Sequence, residues 1–239
     1  MNRTFLLGGE LEIGRLGFGA MRIVADREEG ARVVRRAVEL GVTLIDTADI
    51  YGAGVSEEVV AEALYPYPEG VVIATKGGLG YGLQARVRDG RPEHLREACE
   101  ASLRRLRLER IDLYHLHRHD PEVPIEESIG ALEALRQEGK IRLIGVSNFS
   151  LGQLRRAQSV ARIVSVQNEY NRGLLISDDV LDACEAEGIG FMPWSPLGEG
   201  LGAPADELRW LLDRSPVMLP IPGTSKVAHL EANMRALDT

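Results

Sequence analysis

Asp46, Tyr51, Lys76 and His117 are the residues of this sequence whose types and positions suit proton transfer. Each stands at or just past the end of a short apolar run. Leu44 and Ile45 lead to Asp46, with Tyr51 following in LIDTADIYG; VVIATK ends at Lys76; IDLYHLH ends at His117. A carboxylate leaving a buried strand with a phenol a few residues on is an arrangement for acid–base chemistry rather than packing. An ammonium beside a phenol favours the phenolate, a carboxylate beside the ammonium keeps it charged and placed, and an imidazole can orient an oxygen. Taken singly, each residue also has a plainer reading: Asp46 with Lys76 as a structural ion pair, Tyr51 as a tyrosine packed at a rim. His115 and His119 flank His117, and strand alternation turns His115 and His117 to the same side. The pattern alone does not choose between them.

The elements that must position these groups read as alternating strands and helices. Residues 4–7 and 11–13 flank Gly8-Gly9-Glu10 and predict a small hairpin. Strands are predicted over 15–18, 44–45, 71–75, 111–117, 141–146, 163–166, 190–192 and 217–219. Between them, helices are predicted at 56–64, 124–138, 151–159, 178–187 and 226–237, with another opened by Pro92 at a first-turn position. Asp26 with Glu29, and Ser150 with Gln153, have capping-box spacing. Residues 206–213 allow only a short helix, and the Gly-rich stretch 77–90 reads as a long mobile loop. Eight strand-then-helix units point to an α/β fold, a (β/α)8 TIM barrel preceded by a β-hairpin. An open doubly wound sheet is the weaker alternative, because no G-x-G-x-x-G or Walker pattern is present.

At 239 residues the chain matches one such barrel of ~250 residues, and no Pro/Ser-rich linker or charge block divides it, so residues 1–239 are read as one domain. A net charge of −8 argues against a nucleic-acid partner, which needs a basic face. Cys99 and Cys184 lie among helix formers, make neither a disulfide framework nor a metal-ligand spacing, and read as buried thiols. No apolar run approaches a ~20-residue membrane span, and the first residues are too short an apolar stretch for a signal peptide. The expectation is a soluble cytoplasmic protein with no metal.

Eight stretches, in order, then carry a resemblance: LGFGAM (16–21), TLIDTADIYG (43–52), VVIATKGG (71–78), RIDLYHLHR (110–118), GKIRLIGVSNFS (139–150), VQNEYN (166–171), MPWSPLG (192–198) and PIPGTSKVAHLEAN (220–233). The sequence resembles the aldo-keto reductases, in particular their bacterial branch. The resemblance implies a monomeric barrel that reduces small aldehydes or ketones with a nicotinamide cofactor. It places the catalytic set on Asp46, Tyr51, Lys76 and His117. It puts the carboxamide-holding residues on Ser147, Asn148 and Gln167, and the ring that stacks on the nicotinamide on Trp194. The pyrophosphate falls along Ser195, Pro196, Leu197 and Gly198, with Gly19 and Met21 at the end of the first strand also on the cofactor. The adenosine end falls on Gly223, Thr224, Ser225, Lys226, His229 and Asn233. NADP(H) is favoured over NAD(H) through Lys226, although the family's frequent Arg at the position of His229 is absent. The loop at 22–25, the segment between Gly198 and Leu208 and the C-terminal end are short for the family. They imply an open pocket, a weakened cofactor grip and a partly uncovered seventh strand. A cofactor-sensing module or a trimmed barrel scaffold with little turnover are the alternatives this trimming leaves.

Overall fold

The structure is a computed structural model that describes residues 3–81, 86–198, 200 and 202–238. The predicted hairpin is present: β1 (Thr4–Leu7) pairs antiparallel with β2 (Leu11–Gly14), turning through Gly8 and Gly9, both at positive φ. Then follow β3 (Phe18–Gly19), a 3₁₀ turn (Ala20–Val24), α1 (Arg27–Glu39), β4 (Leu44–Asp46) and α2 (Val55–Leu64). Next come β5 (Val72–Gly77), β6 (Leu79–Tyr81), β7 (Arg86–Arg88), α3 (Pro92–Leu106), β8 (Ile111–Leu116) and α4 (Ile125–Gln137). The chain continues through β9 (Ile141–Ser147), α5 (Leu151–Gln158), β10 (Ile163–Gln167), α6 (Asp178–Glu187), β11 (Gly190–Phe191), α7 (Pro204–Arg214) and α8 (Val227–Met234).

Seven of these strands form one parallel sheet in the order β11-β10-β9-β8-β5-β4-β3. The eighth expected strand, residues 217–219, is not a strand; it makes a single parallel bridge from Met218 to Phe191. Pro216, Pro220 and Pro222 surround it, and proline has no N–H to give a ladder. Its carbonyls still bond both sheet edges: Phe191 N donates to Val217 O (2.8 Å), Gly17 N to Pro220 O (2.9 Å) and Gly19 N to Pro222 O (3.2 Å). The first sheet strand lies later than expected because residues 15–17 serve this junction. The Arg15 guanidinium is buried and donates to the carbonyls of Leu212 (2.8 Å), Ser215 (2.5 Å) and Met218 (3.3 Å).

The period-two alternation of the strands separates two cores. Leu44, Val72, Ala74, Leu113, Leu143 and Val164 pack inward with Leu7 and Ile13 of the hairpin. Their neighbours Ile45, Ile73, Tyr114, Ile144 and Ile163 pack outward against the helices. Asp46, Lys76 and His115 have the inward parity of Leu44, Ala74 and Leu113. They form a polar layer on top of an apolar one.

Four other expectations are corrected. The stretch 77–90 contains the antiparallel β6–β7 hairpin rather than only loop, and residues 20–24, expected as strand end and loop, form the 3₁₀ turn. The helix near 206–213 runs from Pro204 to Arg214 and buries Leu208, Leu211 and Leu212, while Trp210 stacks on Tyr170 at 6.4 Å, so this unit is covered. Asp26 caps α1 through Glu29 N, but only Ser150/Gln153 forms the full reciprocal box. Both cysteines are buried and free, and burial pushes their thiols up to about 12.

Candidate active site

The C-terminal ends of the parallel strands gather the predicted acid–base residues. Asp46 closes β4, Lys76 lies one residue from the end of β5, and His117 directly follows β8. The register sets Asp46 beside Ala74 and Lys76 beside His115, and His117 N bonds Gly77 O at 2.8 Å. Tyr51 lies in the turn before α2, whose N-cap Gly54 has φ 93°.

Lys76 is wholly buried, and its ammonium donates to Asp46 Oδ2 (2.7 Å), Thr47 O (2.8 Å) and Tyr51 Oη (3.4 Å). Burial acts to lower the Lys76 pKa, but the charges of Asp46 and Tyr51 and the hydrogen bonds to both outweigh it, so the ammonium is held above its ordinary range. The second Asp46 oxygen accepts from Gln167 Nε2 at 2.9 Å. The His117 ring stands edge-on to Tyr51, centroids 5.9 Å apart. His115 is separated from His117 by depth, not by face. It is fully buried one step below, with Nε2 2.8 Å from Ser165 Oγ, and burial followed by the Lys76 charge drives its pKa down to about 3.

Gln167 reaches Asp46 because β10 changes phase. The register between β10 and β9 shifts between Ile163 and Ser165, so Val164 and Ser165 both face inward, and Gln167 does too. A bulge of this kind re-aims a side chain. Ser147 Oγ donates to Gln167 O (2.9 Å), Asn148 Nδ2 to Ser147 Oγ (2.9 Å) and His117 O (3.2 Å), and Trp194 Nε1 to Asn148 Oδ1 (3.1 Å). Asn148 (φ 60°) and Ser195 (φ 53°) hold left-handed backbone. Non-glycine residues in that region concentrate at ligand-handling sites.

These groups line a cleft of about 620 Å³, within the range of small-molecule sites. Of the predicted residues, Gly19, Met21, Asp46, Tyr51, His117, Ser147, Asn148, Gln167, Trp194, Ser195, Pro196, Leu197, Gly198 and Gly223 line it. Lys76 lies beneath them. Thr224, Ser225, Lys226, His229 and Asn233 fall outside the lining, at the entry to and along α8, with Lys226 and His229 exposed and Asn233 buried. The cleft also contains residues that sequence reasoning missed: Arg22, Leu79, Arg88, Arg118, Ile221 and Pro222. Arg118 adjoins His117 in RIDLYHLHR and could have been read from that motif; Arg88 lay in the stretch taken as loop.

Seven parallel strands with Asp46, Lys76 and His117 at their C-terminal ends, opening on a cleft of small-molecule size, define a TIM-barrel-type α/β protein. The sequence profile of the aldo/keto reductase family matches residues 15–207. The chain belongs to the aldo/keto reductase family, and so to a family of oxidoreductases. It is 42% identical over 254 residues to a protein named as an uncharacterized oxidoreductase of Schizosaccharomyces pombe, covering 95% of this chain and 83% of that one. It is 38% identical over 266 residues to pyridoxine 4-dehydrogenase of Escherichia coli, covering 98% and 93%. Among solved structures, the glycerol dehydrogenase of Gluconobacter oxydans matches with a TM-score of 0.93 at 29% identity, covering 99% of this chain and 90% of that one. An aldo-keto reductase of Klebsiella pneumoniae in complex with NADPH matches with a TM-score of 0.83 at 28% identity, covering 100% and 90%. Among the described residues no helix is long and apolar enough to cross a membrane.

Proposed function

We propose that this protein reduces small aldehydes or ketones to alcohols with NADP(H), at the mouth of a (β/α)8 barrel whose eighth stave is the segment 217–222, and that Tyr51 is the proton donor. One observation carries the reading: the Tyr51 hydroxyl lies 3.4 Å from the ammonium of a fully buried Lys76, which is itself bonded to Asp46 at 2.7 Å. An ion pair that served packing alone would have no need of a phenol at the cleft surface.

The donor set fits a nicotinamide. Ser147, Asn148 and Gln167 present a hydroxyl and two carboxamides side by side, matching the carboxamide of the ring. Trp194 offers a flat indole, and Ser195 to Gly198 and Gly223 line the same cleft. Thr224, Ser225, Lys226, His229 and Asn233 would take the adenosine end. The exposed Lys226 is the cation for a 2′-phosphate, and the NADPH-bound Klebsiella structure supports the same preference. When bound, the cofactor supplies the hydride.

The protein supplies position and the proton. As the carbonyl carbon takes its fourth substituent, the C=O π pair moves onto the oxygen, which takes up negative charge, and Tyr51 donates its proton to that oxygen. The phenolate left behind faces the Lys76 ammonium, which Asp46 and Thr47 O hold in place; a proton from solvent restores the phenol. His117, edge-on to Tyr51, orients the carbonyl oxygen. Tyr51→Phe is expected to cut turnover of a small aldehyde by about 10²-fold or more while NADPH still quenches tryptophan fluorescence saturably. Turnover within a few-fold of wild type in that variant would remove Tyr51 from this role.

A further inference from the structure

Among the described residues, three arginines, Arg22, Arg88 and Arg118, line the cleft, against a single carboxylate, Asp46. That carboxylate is already bonded to Lys76 and Gln167, so the described lining carries a positive surplus within a chain of net charge −8. Among the described residues, neither Arg88 nor Arg118 makes an ion pair or a side-chain hydrogen bond, although a carboxylate stands within two positions of each in sequence. Asp89 is taken by Arg91 at 2.7 Å, and Asp120 accepts from the backbone N–H groups of Gly90 (3.0 Å) and Glu122 (3.0 Å). Glu126, near His119, is paired with Arg156 at 2.7 Å.

The sheet order says which part of a bound pair these cations face. β8 is the middle strand of the seven and β5 its neighbour; Arg118 follows β8, and Arg88 ends the hairpin that follows β5. The proposed cofactor groups Gly19 and Ser195 to Gly198 belong instead to the two sheet edges, β3 and β11, and Arg22 stands with them beside β3. Arg88 and Arg118 therefore stand on the connections after the central strands, apart from those that carry Gly19 and Ser195 to Gly198.

We propose, resting on the reductase reading above, that Arg88 and Arg118 select a carbonyl substrate that carries a carboxylate, gripping it at the far wall of the cleft while the carbonyl meets Tyr51. A guanidinium is always charged, and its planar fork fits a carboxylate with two parallel hydrogen bonds. A positive cleft on an acidic protein also focuses its field on an incoming anion.

The test compares kcat/KM for 4-formylbenzoate and its methyl ester, with NADPH, in wild type, Arg88→Gln, Arg118→Gln and the double variant. The ratio of carboxylate to ester is expected to exceed one in wild type, to fall about tenfold in each single variant and further in the double. It is also expected to shrink as ionic strength rises. An unchanged ratio, or equal losses on both substrates, overturns the assignment. So does weaker NADPH binding with an unmoved ratio, which would give these cations to the cofactor's phosphates. If neither aldehyde is reduced, the reductase reading fails by itself. Calorimetric titration of 4-formylbenzoate into the nucleotide-free protein then decides the anion site: binding in wild type that the double variant loses sustains it, and no binding overturns it.

Discussion

Replacing Asp49 by Asn is expected to remove the pH dependence that this one carboxyl imposes on stability. Asp49 sits in the turn between β4 and α2, its N–H bonded to Lys76 O at 3.2 Å. One carboxyl oxygen is shielded from solvent and has no hydrogen-bond partner among the described residues. Burial, then the nearby charge of Glu57, pushes its pKa up from 3.8 to about 7, against smaller opposing effects from the Ile50 backbone N–H, Arg105 and Lys76. The native carboxyl thus holds a proton that the unfolded chain releases near its ordinary value. Between those two values the native state binds more protons, so stability falls as pH rises from about 4 to about 7 and is level above. A shift of roughly three units at about 1.36 kcal/mol each sets an upper figure of about 4 kcal/mol. Relaxation and water entry reduce it, and roughly 2 kcal/mol is expected. Asn at position 49 carries no such proton. In urea unfolding at pH 4 and at pH 8, the stability of Asp49→Asn relative to wild type should rise by about that amount between the two conditions. Taking the difference between proteins cancels the titration of every other group. A difference that stays constant within about 0.5 kcal/mol would mean that Asp49 ionises normally in the folded protein, and would refute the argument.

His115 imposes the opposite dependence, because its folded pKa of about 3 lies below the ordinary 6.5. Its contribution is fully present above about 6.5 and is lost as pH falls toward about 3, where the unfolded imidazole takes up a proton and the native one does not. His115→Gln, which can keep a hydrogen bond to Ser165, should lower the acid-unfolding midpoint by about half a pH unit or more; an unmoved midpoint would contradict it. Gly145→Ala should cost about 1–3 kcal/mol, since its Cβ would lie 2.4 Å from both His115 Cδ2 and Ser165 Oγ. A thermal midpoint lowered by roughly 3–10 °C would register that cost, and an unchanged one would show that the layer beneath the cleft can give way.

The sequence alone showed that Asp46, Lys76 and His117 stand at strand ends, because an ionisable residue at the end of an apolar run marks the point where a buried strand reaches the mouth of the fold. Helix starts were legible for a similarly local reason: the capping side chains of Asp26 and Ser150 and the first-turn Pro92 act within a few residues of themselves. Relations between strands were not legible in this way. His115 and His117 share a parity, and only the register that sets His115 beside Lys76 and Gly145 shows that one is sealed below and the other opens on the cleft. Gln167 meets Asp46 only because the register of β10 against β9 shifts by a residue, which no property of IVSVQ announces. The prolines around residues 217–219 were visible. Their effect, carbonyls bonding both edges of a sheet without forming a strand, depends on which edges come within reach. Arg88 and Arg118 are thirty positions apart on different connections. They line one cleft because β5 and β8 are neighbours in the sheet, and neighbourhood is a property of the assembled fold, since hydrogen-bonded ladders join residues that the chain keeps apart.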